Sequence, residues 1–289
     1  MLARMSPTLS AIHIFPLKSG APLPLASAHV GTRGFDHDRR WMVLDADDEF
    51  VTGRDEPRLT LIRAVPVDGF SNDGFANNGL ANDALTLSAP GMTELRIAPP
   101  PDDAARIATA VWGAAVTPRS AGAEADAWIS AFLGRPCRLV HMDADCHRAV
   151  KAKYDGRYGV DGDEVSFADA FPLLLISQAA LDQLNAKLAR PVPILRFRPN
   201  LVVAGTTPHA EDGWKRIRIG AVQFDVVKAC VRCVFTTVDF ERGERDPSGE
   251  PLRTLIGYRR SDEGVTFGQN LIPRGQGVVR VGDAVSVIA

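Results

Sequence analysis

The stretch 222–239 reads VQFDVVKACVRCVFTTVD and sets Cys230 and Cys233 between two runs rich in β-branched residues. Because such side chains favour strands, we predict strands at 222–227 and 234–238. A thioredoxin-like redox pair opens a helix after a strand, and the run that follows Cys233 disfavours that arrangement. The stretch therefore indicates a β-rich body with two thiols placed between two of its strands.

Short apolar runs bounded by turn residues repeat this pattern along the chain. Further strands are predicted at 11–15, 40–44, 59–67, 85–87, 95–97, 201–203, 217–219 and 278–288. The runs 85–87 and 95–97 are expected to form a hairpin. Many short strands separated by turns are typical of a barrel or sandwich rather than a doubly wound sheet.

Two segments have helical spacing instead. The first is 123–133, which stops at Gly134, and the second is 177–188, with Ser177 as its N-cap. The Asn- and Gly-rich segment 71–83 is expected to be a surface loop. The fold class is thus predicted as mainly β with some helix (α+β), in a smaller β-rich part at 1–125 and a β-rich body at 126–289.

Composition bounds the class of protein. The chain has 289 residues, a formal net charge of −2 and four cysteines. This charge does not favour nucleic acid or an anionic membrane, and no apolar run reaches the ~20 residues needed to span a bilayer. Residues 1–10 do not resemble a secretory signal, and four cysteines in this length do not make a disulfide scaffold. We therefore expect a cytoplasmic protein that binds neither nucleic acid nor membrane.

The two close cysteines allow several interpretations. Arg232 lies between them, and a thiol beside a fixed positive charge can be held as the thiolate that attacks electrophiles and binds metals. The pair could also be half of a zinc site, although no partner stands at zinc-ribbon spacing. Two buried structural cysteines are an equally good interpretation of the residues alone.

Other polar fragments are weak signals singly. They are Lys18-Ser19-Gly20 after the first strand, GFDHDRR at 34–40, TGRDEPR at 52–58, Arg196 to Asn200, and Phe267 to Asn270. Each is more often a turn or a solvated edge. Together they supply cations, amides and hydroxyls suited to a phosphorylated polar ligand, beside one candidate thiolate.

In this order the motifs resemble the MOSC family in its two-part form, with a β-barrel N-terminal region, as in the amidoxime-reducing components and the YcbX-like bacterial proteins. The resemblance implies a molybdenum cofactor, a pterin dithiolene that carries molybdenum and a phosphate. It assigns Cys233 as the thiolate ligand of molybdenum and as the catalytic residue. It assigns the remaining cofactor contacts to Lys18, Ser19, Arg39, Arg198, Asn200 and Arg232.

The resemblance implies a molybdenum-dependent oxidoreductase that reduces N-hydroxylated compounds. Electrons would come from a separate protein of reductase, ferredoxin or cytochrome type, since we expect no iron–sulfur domain after Cys233 and no membrane anchor. A monomer is expected. Cys230 is expected not to bind the metal, and Phe171 stands where relatives carry a small polar contact. The alternative function is a molybdenum-cofactor or sulfur carrier that works through a persulfide on Cys233.

Overall fold

The computed structural model describes residues 6–67, 84–150 and 157–289, so the predicted loop at 71–83 lies outside the described residues. The strands are β1 (Thr8–Ile14), β2 (Leu23–Leu25), β3 (Ser27–Gly31), β4 (Gly34–Phe35), β5 (Trp41–Asp45), β6 (Arg63–Pro66), β7 (Leu85–Ser88), β8 (Leu95–Ile97), β9 (Thr109–Val111), β10 (Ala114–Val116), β11 (Arg119–Ser120), β12 (Cys137–His141), β13 (Leu173–Ser177), β14 (Leu201–Ala204), β15 (Arg216–Ile219), β16 (Val222–Val231), β17 (Val238–Asp239), β18 (Glu244–Arg245), β19 (Arg260–Ser261), β20 (Gly264–Pro273), β21 (Gly277–Arg280) and β22 (Val285–Val287). The α-helices are α1 (Ala123–Leu133), α2 (Gln178–Asn185) and α3 (Leu252–Ile256), and 3₁₀ helices span Pro57–Leu61, Ile194–Phe197, Ala210–Gly213 and Val234–Thr237.

The largest sheet has the strand order β2-β1-β14-β13-β20-β16-β15-β22, with β19 paired to β20. All its pairs are antiparallel except β13 with β14. Within the described residues this order is an open path, but β1, the second strand of the order, approaches β22 at its far end. Leu9 N donates to Asp283 O at 2.9 Å, and Val285 N donates to Pro7 O at 2.8 Å. The body is therefore barrel-like without a closed ladder, and the prediction of a mainly β fold with a few helices is confirmed.

A second core lies beside this sheet. Antiparallel strands β5, β12 and β11 form one small sheet and β6, β7 and β8 form another, so the predicted 85–97 hairpin is present. Helix α1 buries Trp128 and Ile129 among the residues of these sheets and ends at Gly134, in the left-handed conformation with φ 71°, as predicted. Because β12 pairs with β5, and β1 belongs to the large sheet, the two parts share strands, and the boundary at residue 125 stays a prediction.

Three predicted strands differ in the structure. The segment 234–238 is a 3₁₀ helix, because the hydroxyls of Thr236 and Thr237 donate back to Cys233 O (2.9 Å) and Val234 O (2.7 Å), a local bond that competes with strand pairing. The segment 59–67 starts as a 3₁₀ helix with Pro57 in its first turn and becomes β6 only at residue 63. The segment 278–288 is split into β21 and β22 by a turn.

Helix α2 begins as predicted, since Ser177 caps it by accepting from Ala180 N. It ends at Asn185 rather than 188, where the Asn185 amide pairs with both backbone groups of Val192. None of the helices in the described ranges is long and apolar enough to cross a membrane.

Candidate functional site

One cavity, with a volume of about 340 Å³, lies where the large sheet meets the second core. The seven side chains singled out from the sequence all line it: Lys18, Ser19, Arg39, Arg198, Asn200, Arg232 and Cys233. They come from four separate segments of the chain. The structure therefore brings the predicted set together around one space, and the roles of its members stay predictions.

The cysteine segment follows the end of β16. Arg232 N donates to Val265 O at 2.7 Å, which holds the segment against β20, and Cys233 then precedes the 3₁₀ helix in an extended conformation. Both Cys230 and Cys233 are half-buried free thiols. The Arg232 guanidinium donates to Cys230 Sγ at 2.8 Å, and also to Phe197 O. The positive charge between the two cysteines is thus directed at Cys230.

Asn200 and Arg39 join three strands at the base of the cavity. Asn200 is 1% exposed. Its Oδ1 accepts from Arg39 Nη1 (3.0 Å) and Leu174 N (3.2 Å), and its Nδ2 donates to His13 O at 3.1 Å. Both ends of this amide are therefore engaged inside the protein. Arg39 Nη1 also pairs with the buried Asp38 at 2.6 Å.

Arg198 lies beside Arg39, and the two guanidinium groups stack on the Phe15 ring at 4.0 and 4.4 Å. Burial, and then the charge of Arg39, lower the pKa of Arg198 to about 9, so it stays charged at neutral pH. One donor, Arg198 Nη2, is buried and has no hydrogen-bond partner within the described ranges. A buried charged donor without an acceptor is costly, and it marks this wall as a place for an anion.

Lys18 is buried at the other wall. Its Nζ donates to Phe167 O at 2.8 Å and to Asp169 Oδ1 at 2.7 Å. Burial lowers the pKa of Lys18 to about 8, against the opposing charge of Asp169. Loss of hydration alone would raise the pKa of Asp169, but the charge and hydrogen bond of Lys18 hold it well below its usual range. The Asp169 side chain is 57% exposed because it lies inside the concave wall, where water in the cavity reaches it.

Ser19 links the cavity floor to the cysteine segment. Its hydroxyl accepts from Gly53 N at 2.9 Å. A Cβ at Gly53 would lie 2.3 Å from Cε2 of Phe235, so only glycine allows this close approach. The TGR turn, quoted from the sequence as a polar loop, therefore packs directly against the helix that follows Cys233.

Several cavity residues were not singled out from the sequence: Arg54, Trp112, Asp169, Arg196 and Lys228. Arg54 stacks on the Trp112 ring at 4.3 Å, and Trp112 Nε1 donates to Asp169 Oδ1 at 3.0 Å. Arg54 and Arg196 lay inside fragments that the sequence had marked as polar, so a signal for them existed. Trp112 sits in a turn between two weak strands, and no sequence signal pointed to it.

Backbone strain is concentrated at this cavity. Among the described residues, seven non-glycine residues have positive φ, and four of them line the cavity: Ser19, Arg39, Trp112 and Arg198. Left-handed backbone is disfavoured for side chains with a Cβ and persists where the surroundings enforce it, often at functional sites. This clustering supports a functional cavity independently of any motif.

Comparison with known proteins agrees with the fold. The model of the MOSC N-terminal beta barrel domain matches residues 6–136, and that of the MOSC domain matches residues 162–286. Mitochondrial amidoxime-reducing component 1 of Mus musculus is 34% identical over 97% of this chain and 82% of its own length, and that of Xenopus laevis is 33% identical over 96% and 81%. Mitochondrial amidoxime reducing component 2 of Rattus norvegicus is 33% identical over 96% and 82%. The chain belongs to the two-part MOSC family that includes the amidoxime-reducing components.

The expectation of a cytoplasmic protein is wrong, because these relatives are mitochondrial proteins by name. The error has a simple cause. A few unpaired cysteines argue against an oxidising compartment, but they do not distinguish one reducing compartment from another.

The cavity lining fits the cofactor that the family implies. Among the described residues the lining holds one carboxylate, Asp169, and seven cations: Lys18, Arg39, Arg54, Arg196, Arg198, Lys228 and Arg232. Arg198 Nη2 and Arg232 Nε are buried donors without partners in the described ranges. A phosphate and polar pterin edges would take such donors. Cys233 offers the soft thiolate that suits a redox-active metal. Across the same ranges no three His, Cys, Asp or Glu side chains are grouped to hold a metal ion.

Proposed function

We propose that this protein is a molybdenum-cofactor-dependent reductase of N-hydroxylated compounds that receives its electrons from a separate redox protein. The observation that carries the proposal is the cavity that joins Cys233 to an excess of buried and half-buried cations. The relatives support the substrate class, because an amidoxime is an N-hydroxylated amidine and they are named amidoxime-reducing components.

In this proposal the residues of the chain hold the cofactor at two places. Cys233 binds the metal through its sulfur, and Arg232, Arg198, Arg39 and Lys18 hold the phosphate and the polar edges of the pterin. Asn200 keeps Arg39 in place through its Oδ1. When bound, the cofactor supplies a metal centre that can exchange two electrons. Ser19 and Phe235 close the floor beneath it.

The protein contributes orientation and charge to the reaction. Reduction of an N–OH group to N–H consumes two electrons and two protons and releases water. The surplus of positive charge favours the negatively charged cofactor and stabilises negative charge in the site. The electron donor would be of reductase, ferredoxin or cytochrome type, and the monomeric state stays a prediction.

The test compares Cys233→Ala with Cys230→Ala, a matched loss of one thiol from the same cavity. We expect wild type and Cys230→Ala to carry molybdenum and to release a fluorescent oxidised pterin after expression in a cofactor-competent host. Cys233→Ala should lose most of the metal and all reduction of an amidoxime, while keeping its circular dichroism spectrum.

Two outcomes would contradict the proposal. Wild-type protein that carries no molybdenum would show that the chain does not bind this cofactor. Full amidoxime reduction by Cys233→Ala would show that Cys233 is not the required thiolate ligand. If instead intact-mass measurement finds one extra sulfur atom on Cys233 and no reductase activity, the chain is the sulfur carrier.

A further inference from the structure

Arg148 is a buried cation that the proposed function does not use. It is 4% exposed and does not line the cavity. Its guanidinium donates to the backbone oxygens of Ser166 (2.9 Å), Ala168 (2.5 Å), Asp169 (2.9 Å) and Val111 (3.5 Å). Across residues 6–67, 84–150 and 157–289 it forms no ion pair. The charge of Asp169 attracts Arg148 from beyond ion-pair distance, but burying a charge without a directly paired counter-charge is costly, so the four carbonyls have to replace the lost hydration.

Three of the four carbonyls, all but that of Val111, belong to a short segment without regular structure, 165–170, that separates Arg148 from Lys18. Ser166 O and Ala168 O accept from Arg148, whereas Phe167 O, between them, accepts from Lys18 Nζ. Asp169 serves both cations, giving its carbonyl to Arg148 and its carboxylate to Lys18. The carbonyls of Ser166, Phe167 and Ala168 thus alternate in direction, as in an extended chain, and the segment lies between two buried cations.

We propose that Arg148 is a positioning residue that fixes the segment 165–170 and so keeps Lys18 directed into the cavity. The planar guanidinium presents five N–H donors in a fixed fork, and this geometry can hold several carbonyls at once. A lysine at the same place would keep the charge but has no fork. The inference rests on the proposed function only for what Lys18 holds, since every contact described lies within the chain.

Lys18 itself can report on this arrangement. The groups that face its Nζ are Asp169, which favours its charged form, and Arg148 and Arg39, which disfavour it. The rings of Phe50 and Trp112 lie 5.5 and 5.9 Å away. Burial lowers the pKa of Lys18 to about 8, so a large fraction of the amine is neutral in mildly alkaline solution. Protection by the segment 165–170 then controls how fast this amine reacts.

The experiment measures acetylation of Lys18 by acetic anhydride in the full-length protein prepared without cofactor. Peptide mass spectrometry follows Lys18 over a pH series, with the exposed Lys215 as internal reference. Wild type is compared with Arg148→Met, which removes the charge and the fork, and with Arg148→Lys, which removes only the fork. Circular dichroism and thermal melting establish that each variant is folded at the labelling temperature.

We expect both variants to raise the high-pH plateau of the Lys18 rate by roughly fivefold or more, as for a locally opened site, with Lys215 unchanged. Only Arg148→Met should also move the midpoint of the Lys18 profile to higher pH, because only that variant removes a neighbouring positive charge. A merely structural role would speed labelling at Lys18 and Lys215 alike or lower the melting temperature without changing the Lys18 profile.

The proposal is overturned if folded Arg148→Lys leaves the Lys18 plateau within about twofold of wild type. Should Arg148→Met fail to fold, Arg148→Lys alone decides the matter. A second readout is the molybdenum content of protein made in a cofactor-competent host, which both variants should lower. A wild-type chain without molybdenum would refute the proposed function but leave the labelling result standing, so the two failures are distinguishable.

Discussion

Replacing Asn200 by alanine should destabilise the protein even when no cofactor is present. The Asn200 amide joins β1, β13 and Arg39 through three hydrogen bonds. Alanine removes all three and adds no acceptor for the buried Leu174 N–H. The backbone bonds of Asn200 itself, to His13 and Leu174, remain, so the strands keep their register.

The magnitude follows from these contacts. The bonds to His13 and Leu174 contribute about 1 kcal/mol each, and leaving the buried Leu174 N–H unpaired costs about 1 kcal/mol more. Arg39 keeps its ion pair with Asp38, so little is added there. We expect the free energy of unfolding to fall by about 3 kcal/mol, which corresponds to a melting temperature lower by about 5 to 10 °C for a chain of this size.

The assay is urea denaturation and thermal melting of cofactor-free protein, followed by tryptophan fluorescence and circular dichroism. Asn185→Ala is the matched control, because the Asn185 amide also makes two backbone hydrogen bonds, to Val192, but lies outside the cavity. The control should lose about 1 to 2 kcal/mol and keep its molybdenum content, whereas Asn200→Ala should lose both stability and metal.

A loss of less than about 1 kcal/mol for Asn200→Ala would refute this reasoning. If such a variant still lost its cofactor, the Asn200 amide would act on the ligand directly. Equal loss of metal in Asn185→Ala would show that cofactor content follows stability in general. The loss of metal in Asn200→Ala would then be no evidence for a specific role of Asn200 in the cavity.

Three further changes test other contacts. Gly53→Ala places a Cβ 2.3 Å from the Phe235 ring, so urea titration should show a loss of about 1 to 3 kcal/mol, and a change below that range would mean that the ring moves freely. Gly268→Ala would place a Cβ 2.7 Å from Leu175 O at a residue whose φ is 81°. Its melting temperature should fall further than that of Gly53→Ala, because backbone strain is added to the clash. An equal or smaller fall would show that the backbone strain is absent. Burial lowers the pKa of Lys18 to about 8, whereas the pKa of a lysine in an unfolded chain is ~10.4. Between about pH 8 and 10 the unfolded state therefore holds more protons than the folded state. The free energy of unfolding should rise by about 3 kcal/mol over this range through Lys18 alone. The penalty is fully present below about pH 8, and urea titrations at both ends of the range should show the rise in wild type and its absence in Lys18→Met; a similar rise in both proteins would show that Lys18 is not its source.

Local signals predicted the elements that local chemistry controls. Helix α1 ends where Gly134 permits a left-handed turn, and α2 begins at the hydroxyl of Ser177. The run after Cys233 was misjudged because threonine favours strands through its branched Cβ, while its hydroxyl can bond the preceding turn. Strand propensity reflects the branched Cβ of threonine but not the hydrogen bond that its hydroxyl can make.

The sequence motifs predicted the residues of the candidate site, but not the residues that hold them in position. Lys18, Arg198 and Cys233 lie in motifs whose order along the chain resembles that of a known family. This resemblance predicts that they belong to one site. Trp112 contacts the distant side chains of Asp169 and Arg54, and Arg148 contacts distant backbone carbonyls. Such contacts leave no pattern in a single sequence. The guanidinium of Arg232 was placed beside the thiols correctly, but only the fold shows that its hydrogen bond goes to Cys230.

The pairing of β1 with β14, and of Leu9 with Asp283, has a consequence for biosynthesis. β1 can pair with β2 early in synthesis, but its other neighbour, β14, lies almost 190 residues further along the chain, so β1 stays unpaired on that side until residues 201–204 have been translated. Domains that fold as units usually do so in order of synthesis, and here the order is interrupted. Lys18 and Cys233 line the same cavity and can meet only after residue 233 has left the ribosome, so a ligand that contacts both cannot bind before that point of synthesis.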